Sequence, residues 1–116
     1  MDSCVFCKII AGDLPSTRVY EDDKVIAFKD LNPVAPVHVL VVPRQHIVSI
    51  NEFAEQDPAG ELAIHLMNCI PKVAEACGVV ESGYRLINNC GKDGGQTVPH
   101  FHIHIIGGED LGPGLR

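Results

Sequence analysis

The apolar positions of the chain change period along its length, and the changes mark out its elements. From Ser3 to Ala11, Val5, Phe6, Ile9 and Ile10 recur at near-helical spacing until Gly12 stops them, which predicts a short helix or turn. Arg18–Glu21 and Lys24–Lys29 read as two strands joined by a turn at Asp22-Asp23. Asn32-Pro33 and Pro36 mark a loop, and Val37–Val42 (VHVLVV) is the strongest strand, closed by Pro43. Asp57-Pro58 has the form of an N-cap followed by proline at the first helical position. Leu62, Leu66, Cys69, Ile70, Val73 and Cys77 then form one apolar stripe with Gly78 as a stop. The stripe keeps its phase across Pro71, so one long helix kinked there is expected. Tyr84–Asn89 is a fourth strand, Cys90–Val98 a glycine-rich loop, and His100–Ile106 a fifth strand ended by Gly107-Gly108.

Five strands in mostly hairpin order with one long and one short helix predict an α+β domain built on an antiparallel sheet. Helices are expected on one face, with the other solvated or carrying a site. A chain of 116 residues suits one domain of ordinary size.

Composition narrows the function classes. Nine Lys and Arg against fifteen Asp and Glu give a formal charge of −6, the wrong sign for a protein that grips nucleic acid by its phosphates. A single small anion remains compatible, because a few backbone N–H groups and imidazoles can hold one. No apolar run approaches the ~20 residues that span a bilayer, and the start of the chain has no basic-then-apolar leader. No membrane partner and a cytoplasmic location are expected. Five cysteines are an odd number for a disulfide framework. Cys69 and Cys77 fall on the predicted helix as small core residues.

The chemistry concentrates in His100-Phe101-His102-Ile103-His104-Ile105-Ile106. In a strand, alternate side chains share a face, so the three histidines point one way and Phe101, Ile103 and Ile105 point into the core. Neighbouring imidazoles then stand ~6.5–7 Å apart, close enough for one phosphate to touch two. All three cannot ligate one ion, since they span ~13 Å. Imidazole nucleophilic catalysis is the better reading, with the central His102 attacking phosphorus and His100 and His104 beside it. That reading expects the His102 ring unburied, at the mouth of an anion pocket. His38 supplies a fourth imidazole from the Val37–Val42 strand. The segment from Asn89 to Thr97, with Gly91, Gly94 and Gly95, leads into the histidines and could bring backbone N–H groups close to an anion.

The histidine run is similar to the signature of the histidine-triad (HIT) superfamily. Pro36–Ile47, Gly94–Val98 and the opening Cys4–Ile10 also resemble that family, most closely its Hint branch, and the resemblance spans Cys4 to Gly108. It implies a single HIT domain over residues 1–116. It implies a homodimer in which two five-stranded sheets join into a ten-stranded one. It implies binding of purine nucleoside monophosphates and hydrolysis of adenosine 5′-phosphoramidates, with no organic cofactor. By position, His102 matches the nucleophile that becomes nucleotidylated, His104 a phosphate contact, and Thr97 a serine that contacts phosphate or leaving group. His38 and His100 match supporting imidazoles. Asp30 and Leu31 match ribose and base contacts, and Asn89, Gly95 and Gln96 phosphate-side contacts. A dinucleoside polyphosphate hydrolase of the Fhit-like branch and a non-catalytic nucleotide-binding regulator are the alternatives. Pro99 departs from the pattern by removing a donor at the strand entry, and the tail Glu109–Arg116 lacks the tryptophan of animal Hint proteins. Cys4, Cys7, His46 and His100 have the ligand types of a structural Cys₂His₂ zinc site. The resemblance strengthens that reading, since several bacterial HIT proteins hold zinc at matching positions.

Overall fold

A computed structural model describes residues 3–115; Met1, Asp2 and Arg116 lie outside it. The described strands are β1 (Arg18–Glu21), β2 (Val25–Lys29), β3 (Val37–Pro43), β4 (Tyr84–Ile87) and β5 (Ile103–Gly107). They form one antiparallel sheet in the order β1-β2-β3-β5-β4. The α+β class with a five-stranded antiparallel sheet is therefore as expected.

The helices depart from expectation. Besides α1 (Val5–Ile10) and the long α3 (Glu61–Ala76), a second short helix, α2, spans Ile50–Gln56. Ser49 is its N-cap. The Ser49 hydroxyl accepts from the Asn51 amide at 3.1 Å and donates to the Glu52 carboxylate. The S-x-x-E spacing of Ser49 and Glu52 is the capping-box signal that announces this start. Asp57 closes α2, and Gly60 is the residue that precedes α3. Asp57 still serves α3: its carboxylate accepts from the Leu62 and Ala63 amides at 3.0 and 2.8 Å. That relieves two of the unpaired amides of a helix start. Helix α3 runs through Pro71 without a break, with the proline on its exposed side.

Period-2 alternation sorts the sheet into two packed faces. Val25, Ala27, Val39, Val41 and Ile105 pack with Leu66, Ile70 and Val73 of α3 and Phe53 of α2. Ile26, Phe28, Leu40 and Val42 pack with Cys4, Phe6 and Ile9 around α1. Helices thus cover both faces, which corrects the one-sided expectation. The central strands β2 and β3 must be apolar on both sides for this to hold, and they are. Among the described residues, no helix is long and apolar enough to cross a membrane.

Candidate active site and candidate metal centre

The histidine segment is not one strand. The ladder begins at Ile103, and His100 to His102 approach it through irregular backbone. Pro99 lies in the bend before them, so it removes no ladder bond. Sidedness survives the change. Phe101 and Ile105 enter the α3 core, with Ile103 packed against it, while the rings of His100 and His102 lie against Phe6 of α1, with centroids 5.9 and 4.9 Å away.

Register places the remaining imidazoles. His104 is opposite Leu40 on β3, and His38 is opposite Ile106, so His38 and His104 are diagonal neighbours on the α1 face. Their rings touch: His38 Nε2 is 2.9 Å from His104 Nδ1. Backbone groups then fix the tautomers. The Val34 N–H donates to His38 Nδ1 at 3.1 Å, so that nitrogen is an acceptor and His38 Nε2 carries the proton. It follows that His38 Nε2–H donates to His104 Nδ1, and His104 holds its own proton on Nε2. His102 is set the opposite way. Its Nδ1 can only donate to the His100 carbonyl, at 2.8 Å, which leaves a bare lone pair on Nε2. The Asn88 side chain, which no motif singles out, donates to the His102 carbonyl at 2.8 Å.

His102 and His104 line a cavity of about 310 Å³. Its polar wall includes Lys29, Asp30 and Thr97, and its apolar wall includes Val5, Phe6, Ile9, Phe28, Leu31 and Val98. His102 is only 5 % exposed, against the expectation of an unburied ring. No buried side-chain nitrogen or oxygen among the described residues lacks a hydrogen-bond partner, however. The free Nε2 atoms of His102 and His104 therefore reach the cavity and not the packed interior. Burial has a chemical consequence, because it disfavours the charged form of an imidazole. Burial first, then repulsion by His102 and His38, holds the His104 pKa down at about 4. Burial also pushes His102 below the usual imidazole range, against the opposing pull of the His100 carbonyl and Asp30. Both rings are neutral at neutral pH, His102 with a bare Nε2 and His104 with a protonated one.

The other expected site residues divide. Asp30, Leu31 and Thr97 line the cavity. The Asp30 carboxylate accepts from the Asn32 amide at 2.8 Å and lies 3.5 Å from His38 Nε2. Asn89, Gly95 and Gln96 do not line it. Asn89 donates to the Gly94 carbonyl at 2.7 Å, and Gln96 ties the loop to the Val48 and Val98 carbonyls at 2.7 and 3.0 Å. Gly95 sits in the left-handed region at φ +78°, where glycine is favoured. These three residues shape the turn that delivers Thr97.

His100 faces elsewhere. It is fully buried, and its Nε2–H donates to the Pro43 carbonyl at 2.8 Å, which turns a bare Nδ1 towards Cys4, Cys7 and His46. That Nδ1 is 3.4 Å from Cys4 Sγ, 3.6 Å from Cys7 Sγ and 3.2 Å from His46 Nδ1. Cys7 Sγ is 3.3 Å from His46 Nδ1. Tetrahedral zinc with Zn–S ~2.3 Å and Zn–N ~2.05 Å has N–N edges of ~3.3 Å and S–N edges of ~3.6 Å. The four donors, brought together from α1, the segment after β3 and the histidine segment, fit such an ion. The Pro43 carbonyl supplies the outer-shell partner that metal-bound histidines usually have.

Two neutral imidazoles of opposed tautomer thus stand on a half-apolar cavity, beside a Cys₂His₂ cluster with the donor spacing of a zinc site. The chain belongs to the HIT domain family, whose model matches residues 11–111. It is 42% identical over 115 residues to the purine nucleoside phosphoramidase of Escherichia coli K12, covering 98% of this chain and 94% of that protein. A HIT family hydrolase from Clostridium thermocellum is 51% identical with a TM-score of 0.94, covering 100% of this chain and 99% of the other. A histidine triad protein from Clostridium difficile is 50% identical with a TM-score of 0.88, covering 97% and 95%.

Proposed function

We propose that this chain is a single HIT domain that hydrolyses purine nucleoside 5′-phosphoramidates through a covalent nucleotidyl-His102 intermediate. The observation that carries the reading is the opposed tautomer pair on one cavity wall: a bare Nε2 on His102 beside a protonated Nε2 on His104. The phosphoramidase and hydrolase names of its relatives support the same class. His102 Nε2 attacks phosphorus while His104 Nε2–H and the Thr97 hydroxyl bond the phosphoryl oxygens. The P–N bond to the amine breaks, and the departing nitrogen takes up a proton from solvent while the phosphorylated His102 ring carries the positive charge. Water then attacks phosphorus, returns a proton to solvent, breaks the bond to Nε2, and releases the monophosphate and neutral His102. Asp30 suits the ribose hydroxyls, and the apolar wall of Phe6, Ile9, Phe28 and Leu31 suits a purine.

Zinc on Cys4, Cys7, His46 and His100 would supply a structural cross-link and no reactive position, because all four ligands come from the protein. Such a link ties α1, and with it Val5, Phe6 and Ile9 of the cavity wall, to the residue that holds His102. The homodimer of the family remains part of the proposal; β4 is an edge strand with Leu86 exposed, as an intersubunit pairing would use.

The test is an alkaline quench during turnover of an adenosine phosphoramidate, followed by peptide mass spectrometry. A nucleotidyl adduct on His102 is expected. An adduct elsewhere, or turnover with none, overturns the mechanism. Faster cleavage of a dinucleoside polyphosphate offered in competition would overturn the substrate assignment and favour the Fhit-like alternative.

A further inference from the structure

The side of the sheet covered by α3 carries a second convergence of ionisable groups, which the hydrolase reading does not use. Asp22 stands in the turn between β1 and β2, and Tyr20 is on β1. His65 and Cys69 lie on α3, four residues apart and so on one side of the helix. Three of these side chains address a single oxygen. Asp22 Oδ2 is 2.7 Å from the Tyr20 hydroxyl, 2.8 Å from His65 Nε2 and 3.5 Å from Cys69 Sγ. The other carboxylate oxygen already takes the Lys24 and Val25 amides, each at 2.8 Å. Those two bonds close the turn, and helix α3 is docked by Leu66, Ile70 and Val73, so neither element needs the rest of the group.

As hydrogen bonds the group is complete: the Tyr20 hydroxyl and the His65 N–H fill the two lone pairs of that oxygen, and the Cys69 thiol also has the Tyr20 oxygen as an acceptor, 3.6 Å away. The same side chains are equally a metal-ligand set, since carboxylate oxygen, imidazole nitrogen and thiolate sulfur would each give a lone pair to a cation. The ligand atoms of Asp22, His65 and Cys69 lie within 4.8 Å of one another. The O–S separation of 3.5 Å is close to the ~3.6 Å edge of a tetrahedral zinc site, while the O–N separation of 2.8 Å must open to about 3.3 Å. His65 and Asp22 are part-exposed, which leaves an entry path, and Cys69 is buried beneath them.

We propose that Asp22, His65 and Cys69 form a second metal site, specific for a borderline divalent ion such as zinc, with its fourth position taken by water or the Tyr20 hydroxyl. A mixed thiolate, imidazole and carboxylate set favours zinc-like ions over magnesium or calcium. Binding displaces the Cys69 thiol proton to solvent and cross-links the β1–β2 turn to α3. The site shares no residue with the Cys4–Cys7–His46–His100 cluster, and Cys69 belongs to the core on the α3 side of the sheet whereas Cys4 belongs to the core on the α1 side.

The test is a titration of metal-free protein with Co²⁺, which reports bound thiolates by charge-transfer absorption, with zinc counted in parallel against a chromophoric chelator. Wild type is expected to take an equivalent with a one-thiolate band that is missing from both Cys69→Val and His65→Gln. His65 is part-exposed and glutamine is a good helix former, so that variant keeps the fold if Cys69→Val does not. A Cys4→Ser/Cys7→Ser variant should retain the same one-thiolate equivalent, and zinc should raise its thermal midpoint. Equal stoichiometry and equal spectra in wild type, Cys69→Val and His65→Gln would overturn the proposal and leave a hydrogen-bonded clasp. The count is independent of catalysis, so its failure leaves the hydrolase reading untouched, and an inactive enzyme that still binds this equivalent leaves the metal site standing.

Discussion

His102 Nδ1 donates to the backbone carbonyl of His100 at 2.8 Å, so the residue that joins the cysteine cluster through its side chain sets the tautomer of the proposed nucleophile through its backbone. The two imidazoles share a segment and divide the labour: one ring faces sulfur and the other faces the cavity.

Replacing His102 with Gln removes the attacking lone pair and keeps a side chain of similar polarity. Single-turnover rates on an adenosine phosphoramidate should fall by ~10³-fold or more, with monophosphate binding by calorimetry changed only a few-fold. A variant within tenfold of wild type would contradict nucleophilic catalysis by this residue.

The acid limb of kcat/KM should lie below the ordinary imidazole range. Free histidine takes up its proton near pH ~6.5, whereas burial holds His102 lower and His104 at about 4. Activity should therefore stay level as pH falls through 6.5 and decline only below it. Stability shares the same sign. Between the unfolded pKa and the folded one, the unfolded chain binds more protons, so stability drops as pH falls from ~6.5 towards ~4. Denaturant midpoints across that window measure it, and His104→Gln should flatten the slope.

His38 acts on His104 in two ways, as a hydrogen-bond donor and as a source of repulsion against the protonated form. His38→Leu should lower kcat by about tenfold, less than the ~10²–10⁴-fold of a group that itself moves the proton, because His38 acts only through His104. It should also raise the His104 pKa, read by NMR titration of the ring protons. An unchanged pKa would place the two rings apart in solution.

Chelation of structural zinc, or Cys4→Ser with Cys7→Ser, frees α1 from His46 and His100. The thermal midpoint should fall by more than ~5 °C, as losing a filled structural site destabilises a domain of this size by at least ~1 kcal/mol. Nucleotide affinity should fall with it, because α1 brings Val5, Phe6 and Ile9 to the cavity.

Gly94→Ala tests the loop before the histidines. A Cβ there would stand 2.3 Å from the Cys90 carbonyl oxygen and 3.0 Å from its nitrogen, both backbone atoms that cannot swing aside. A loss of about 1–3 kcal/mol in urea unfolding is expected, with a raised KM as Thr97 shifts.

Much of the fold is written in the order of residues. Alternation in Val25–Lys29 and Val37–Pro43 sends neighbouring side chains to opposite faces whatever the surroundings, and the apolar stripe of α3 survives even a proline because Pro71 falls on the solvent side. The imidazoles were conspicuous for the same reason, as three histidines in register leave few other readings. Helix α2 escaped the reading of apolar periodicity because it is only seven residues long, although Ser49 and Glu52 carry its capping signal. What the residue order could not carry is which nitrogen faces what. The Val34 amide and the Pro43 and His100 carbonyls choose the tautomers, and backbone groups have no signature in a list of side chains. The residue order left His100 in two places, beside His102 and among the ligands with Cys4, Cys7 and His46; tertiary structure decided for the second, because the ladder starts only at Ile103 and leaves that ring free to turn towards Cys4 and Cys7. Periodicity assigns a face to each side chain, but hydrogen-bond partners are assigned by chain segments distant in sequence that meet only when the sheet closes.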